Sequence, residues 1–128
     1  MKIVSMPTAG DVALLFVYLM VAHDEAKNRS TSRFRVSGKT FRRIALRSII
    51  TDDFLADFLN ALLRHGYVGF VFADGIGAIE ASAVSGWSLI SSKRVESRLR
   101  QIEADGFRGL ETVQKDVENY KKKKSESG

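Results

Sequence analysis

The stretch Lys39–Gly77 reads KTFRRIALRSII, then TDDFLADFLNALLRHGY, then VGFVFADGIG. It predicts a short helix, a tight connection, a second helix closed by a glycine, and a strand that climbs to a glycine-rich tip. The short helix starts at Ser37 or Gly38 and runs to about Ser48. Phe41, Ile44, Ala45 and Ile49 lie along one stripe of it, with Lys39, Arg42, Arg43 and Arg47 mostly outside. Thr51 caps the next helix, and Asp52 and Asp53 fill its first turn, where the backbone dipoles favour negative charge. Phe54, Leu55, Phe58, Leu59, Leu62 and Leu63 form its apolar face, and Asp52, Asp53, Ala56, Asp57, Asn60 and Arg64 stay outside. Gly66 ends it. Tyr67–Ala73 then reads as a strand and Asp74–Gly77 as a turn. The return strand is expected over 78–90, with Ile79, Ala81 and Ala83 inward and Glu80 and Ser82 on the wet side. AIEASAV, being alanine-rich, could instead form a short helix.

Upstream, Met1–Met6 is a short arm, and Thr8 with Asp11 forms a capping-box pattern before a helix over roughly 9–27. The first turns of that helix are apolar all round, so they suit either a central core helix or a contact with the same helix of a second subunit. NRSTS (28–32) is a polar turn. RFRVS (33–37) alternates charged and apolar residues like a half-buried strand, with Phe34 and Val36 on one side and Arg33 and Arg35 on the other. Downstream, two helices are expected over 92–105 and 109–120. Val95, Leu99 and Ile102 mark the first stripe, and Leu110, Val113, Val117 and Tyr120 the second. The lysine-rich end, 121–128, reads as a disordered basic tail. No internal repeat is visible, and residues 1–120 read as one domain with its C-terminal helices.

The chain has 128 residues, a net charge of +5 and no cysteine, which excludes disulfides and Cys-based zinc sites. Charge distribution says more than the total. No acidic residue lies between Ala26 and Thr51, a window that holds Lys27, Arg29, Arg33, Arg35, Lys39, Arg42, Arg43 and Arg47. Such a block suits a phosphate-contacting surface. The longest apolar run, Val12–Ala22, falls short of the roughly 20 residues a membrane span needs, and no membrane partner is expected. Gly38-Lys39-Thr40 resembles the end of a phosphate-binding P-loop, but Arg33 stands where the earlier glycine belongs. Asp52 and Asp53 point about 100° apart on a helix, His65 suits a helix C-terminus, and no nucleophile–base–orienter set appears. No enzyme activity, metal or cofactor is expected.

RFRVS, GKTFRRIALRS, TDDFLADFLNALLRHGYV and the hairpin VGFVFADGIGAIEASAVSGWSLI together resemble the winged-helix superfamily of DNA-binding proteins. LLRHGYV is the nearest single match, and the resemblance covers roughly residues 10–92. It implies an α+β, mainly α fold: a winged helix with a β-hairpin wing and one or two extra C-terminal helices. In that family the third helix enters the major groove and the wing touches the flanking backbone. This chain departs from the pattern. Asp52, Asp53 and Asp57 crowd the exposed face of the third helix, and the tip DGIG carries no basic residue.

The expected function is double-stranded DNA binding by a cytoplasmic, homodimeric transcriptional or replication regulator of a bacterium or mobile element. Arg33, Arg35, Lys39, Arg42, Arg43 and Arg47 would neutralise phosphates, and Asn60 and Arg64 would reach bases. Five to seven phosphate contacts give a slope of about −5 to −6 in log K against log salt. The alternative is a protein–protein interaction or assembly module without sequence readout, the basic strip meeting an acidic protein partner.

Overall fold

The first helix, α1 (Ala9–Lys27), begins where the capping pattern places it. Thr8 Oγ1 accepts from the Asp11 amide and the Asp11 carboxylate accepts from the Thr8 amide. Such a cap contributes about 1 kcal/mol. At the other end Asn28 takes the left-handed conformation (φ 51°) and donates back to the last turn. The computed structural model describes residues 6–127; the arm before Met6 and the final Gly128 lie outside them. The chain is α+β and mainly helical, with one three-stranded antiparallel sheet among the described residues.

Strand β1 (Arg33–Val36) follows, then α2 (Gly38–Ala45), α3 (Asp52–Arg64), β2 (Tyr67–Phe72), β3 (Gly75–Glu80) and the short α4 (Ala81–Val84). The strand order is β1-β3-β2. Helix α2 ends at Ala45, earlier than the apolar stripe suggests. Leu46 turns left-handed (φ 54°), and the Leu46 and Arg47 amides bond back to the Arg43 and Arg42 carbonyls. This is a two-bond helix stop built on a leucine where glycine is usual. Thr51 caps α3 as expected, its hydroxyl accepting from the Phe54 amide at 3.1 Å. Gly66, at φ 87°, closes it.

The hairpin corrects the sequence reading. Its turn is the residue pair Ala73-Asp74, and Gly75–Gly77 already belong to β3. Moving the turn changes the parity of the returning strand, because side chains alternate with period 2. Ile76 and Ala78 therefore face the core, and Ile79 faces outward, the reverse of the expected set. The return strand also stops at Glu80. Ala81–Val84 is helical, as the alanine-rich alternative allowed, so no strand reaches Ile90. Gly38 lets the hairpin turn lie close against the start of α2. A Cβ there would sit 2.1 Å from the Asp74 carbonyl oxygen, so turn and α2 can meet only across a glycine.

One core joins α1, α2, α3 and the inner sheet face. Phe16, Phe41 and Phe58 are buried, with Phe16–Phe58 centroids 5.3 Å apart and Phe41–Phe58 4.7 Å apart, both edge-on. Phe34 from β1 adds a ring 4.9 Å from Phe16. Edge-to-face pairs add about 0.5–1.5 kcal/mol each beyond burial itself. Gly69 lets α3 lie close on the sheet, since a Cβ there would meet Leu59 and Leu62 at 2.7 Å.

The described residues divide into two compact units, one ending at Trp87 and the other starting at Ser88. In the second, a 3-10 turn (Ser92–Val95) leads into α5 (Glu96–Asp105), and α6 (Phe107–Ser127) folds back on it. Gly109 sets the approach: a Cβ there would lie 3.0 Å from Ile102. Arg98 on α5 donates to Asp116 on α6 at 2.8 Å. Helix α6 continues through Lys121–Lys124, the run expected to be disordered.

Candidate nucleic-acid interface

Of the eight residues singled out in the sequence, Lys39, Arg42, Arg43 and Arg47 line one groove, Arg33 and Arg35 another, and Asn60 and Arg64 stand on α3. In β1 the alternation decides the matter. Phe34 and Val36 pack against the core, so Arg33 and Arg35 project from the opposite, outer face of the sheet. The α3 helix packs on the inner face, through Leu59 and Leu62 at Gly69. These two arginines thus lie on the side of the sheet away from α3.

Lys39, Arg42 and Arg43 form the second group. Ser37 caps α2 by accepting from the Thr40 amide at 3.1 Å, which sets the helix phase. Phe41 and Ala45 then turn to the core, and positions 39, 42 and 43 fall together on the exposed side. None of the three has an ion-pair partner among the described residues. Their charge is uncompensated within the unit, as a phosphate-facing cluster requires.

Arg47 is spent on structure. Its guanidinium donates to the Pro7 carbonyl at 2.9 Å and to the Ala45 carbonyl at 3.1 Å, and it lies 4.0 Å over the Phe54 ring. It ties the segment before α1, the end of α2 and the start of α3. Nothing in the spacing of charges separates it from its neighbours. Only the fold of the α2–α3 connection brings two carbonyls and a ring to it.

Asn60 and Arg64 are exposed on α3, as expected. They share that face with Asp52, Asp53 and Asp57, at helical angles within about 140° of one another. No cation pairs with those carboxylates among the described residues. Asn60 is thus flanked by unneutralised negative charge, and Arg64 is the only basic residue on the face.

The sheet's outer face holds residues the sequence reading missed. Phe70 and Phe72 project beside Arg33 and Arg35, and Trp87 stands at the same groove, of about 470 Å³. All three aromatics are at least 47% exposed. Phe70 and Phe72 are legible as an i, i+2 pair; Trp87 falls within the return strand expected over 78–90, which in the structure ends at Glu80.

Elsewhere, Asp24 near the end of α1 accepts from the Thr31 amide and the Thr31 hydroxyl, which hold its carboxyl below the usual range, against a smaller desolvation effect. Burial pushes Tyr67 upward, with Glu80 and Asp24 adding to it. Among the described residues no helix is long and apolar enough to cross a membrane. Compared with protein-family models, with curated proteins and with solved structures, the chain matches none.

Proposed function

We propose that this protein is a winged-helix DNA-binding regulator, homodimeric and cytoplasmic, that holds duplex DNA through the basic face of α2. The observation that carries the reading is the trio Lys39, Arg42 and Arg43, exposed and unpaired on a helix fixed between β1 and α3. The element order α1-β1-α2-α3-β2-β3 and strand order β1-β3-β2 accord with it. Base readout falls to Asn60 and Arg64 and is narrow, because three carboxylates share their face.

The phosphate count is smaller than charge alone implies. Arg47 is engaged, and Arg33 and Arg35 project from another face. About three or four contacts per chain remain, for a contribution to the salt slope near −3 from each bound chain. The test is duplex binding as a function of salt. Arg42→Ala with Arg43→Ala weakens all sequences alike and flattens the slope by about 2, whereas Asn60→Ala alters preference between sequences. Absence of binding at low salt would sink the proposal.

A second reading has its own support. Leu14, Leu15, Tyr18, Leu19 and Val21 are exposed along α1. Such a stripe suits a protein contact, either the second subunit or an assembly partner. Binding that ignores salt and requires Leu14 and Tyr18 would favour an interaction module.

A further inference from the structure

We infer that the outer face of the β1-β3-β2 sheet binds an unpaired stretch of nucleic acid, stacking bases on Phe70, Phe72 and Trp87 with phosphates at Arg33 and Arg35. The inference does not rest on duplex binding by α2, which uses a different face.

The construction of the face carries it. Register pairs Phe70 with Gly77 across β2 and β3. A Cβ on Gly77 would fall 2.5 Å from the Phe70 ring, so the ring lies across the glycine and turns its remaining surface outward, 47% exposed. Phe72 is 55% exposed, with the Arg35 guanidinium carbon 5.7 Å from its centroid. Trp87 stands at the same groove, 62% exposed. Residues two apart on a strand are spaced about 6.8 Å. Two rings at that spacing offer platforms to successive bases of an extended strand.

Charge selects the occupant. The outward positions of the three strands include Arg33 and Arg35 and no carboxylate. An apolar peptide would leave both guanidiniums unmatched. Aromatic rings interleaved with arginines on an open sheet are the combination that holds single strands, since every base has a stackable face and every nucleotide a phosphate. Stacking and phosphate contacts accept any base, so sequence preference is weak.

The chain's single tryptophan makes the test direct. The full-length protein is titrated at low salt with oligothymidylate and with oligouridylate of about ten nucleotides, enough to span such a site. Trp87 emission is recorded together with anisotropy of the labelled strand. Stacking quenches Trp87, and Phe70→Ala and Phe72→Ala each weaken binding about 5- to 150-fold with thermal unfolding little changed. Arg35→Ala flattens the salt slope by about 0.7. Tighter binding of the ribose strand points to RNA, and equal binding to single strands of either kind. Arg42→Ala with Arg43→Ala leaves the Trp87 quenching at saturation unchanged, since those residues do not touch the stacking face, so failure here and failure of the duplex proposal are distinguishable. Three results overturn the inference: no quenching at low salt, quenching indifferent to both phenylalanine variants, or Trp87 in the free protein already blue-shifted and shielded from acrylamide.

Discussion

The two units of this chain stand on different physics. The first, ending at Trp87, buries Val12, Phe16, Phe58 and Leu62 almost completely. The second, from Ser88, is a helical hairpin in which no apolar side chain is buried among the described residues. Val95, Leu99, Leu110 and Val117 are each 40% exposed or more. Both units have amphipathic helices ended by a glycine of positive φ, Gly66 in the first and Gly106 in the second. Within the units the number of layers differs: α1, α2 and α3 share a sheet, whereas α5 and α6 pack on each other as a pair. A two-helix hairpin covers one side of each stripe and leaves the other side wet. The lesson is that a stripe at helical spacing shows where a partner surface is wanted and not that one is supplied.

Core substitution is the hardest test of that contrast. Phe58→Ala should cost about 3–5 kcal/mol, measured by urea denaturation, because it removes a ring that touches both Phe16 and Phe41. Leu99→Ala should cost under about 1.5 kcal/mol, since Leu99 is already 40% exposed. Equal costs would mean that the hairpin is covered in solution as completely as the first unit.

Arg47→Ala comes next. It removes two hydrogen bonds and a guanidinium–ring contact, and should lower stability by about 2 kcal/mol. Arg43→Ala should change stability by less than about 0.5 kcal/mol while weakening DNA binding. If Arg47→Ala instead spares stability and affects only binding, the tie across α1, α2 and α3 is not what holds the first unit together.

Acid should act on the first unit through Asp24. Its folded-state pKa lies below the ordinary 3.8, because Thr31 donates to the carboxylate. The associated stability is present above the unfolded value and lost as pH falls through the folded one, so below about pH 4 the first unit should weaken. Asp24→Asn should flatten that part of the melting-temperature profile, and an unchanged profile would count against the Thr31 clasp. The smallest effect belongs to the hairpin. Arg98→Ala breaks the pair with Asp116, whose side chains are 39% and 57% exposed, and should cost under about 1 kcal/mol in thermal melts.

Local chemistry was readable without the fold. The Thr8–Asp11 box, the Thr51 cap and the Gly66 stop each depend on residues within one turn of one another, and each appears where the spacing placed it. So do the strand β1 and most of the apolar faces of α2 and α3, because helical and extended periods are properties of the chain itself; the exceptions are Ile49, beyond the end of α2, and Leu63, both exposed, and Ala61, which is core in place of Leu63. The basic block between Ala26 and Thr51 was equally plain, but a block in sequence is not a patch in space. Strand alternation sent Arg33 and Arg35 to the outer sheet face, helix phase sent Lys39, Arg42 and Arg43 to the exposed side of α2, and the α2–α3 connection turned Arg47 inward. Which of Ile76 and Ile79 is core followed from the position of the two-residue turn at Ala73-Asp74 and from pairing with β1, where Ile76 lies opposite Val36 and Ile79 opposite Arg33. Sequence alone determined most of the elements, the caps at Thr8 and Thr51, and the charge. Tertiary structure decided which charges share a face and which apolar stripes are covered, because both depend on atoms that meet only after the chain has folded.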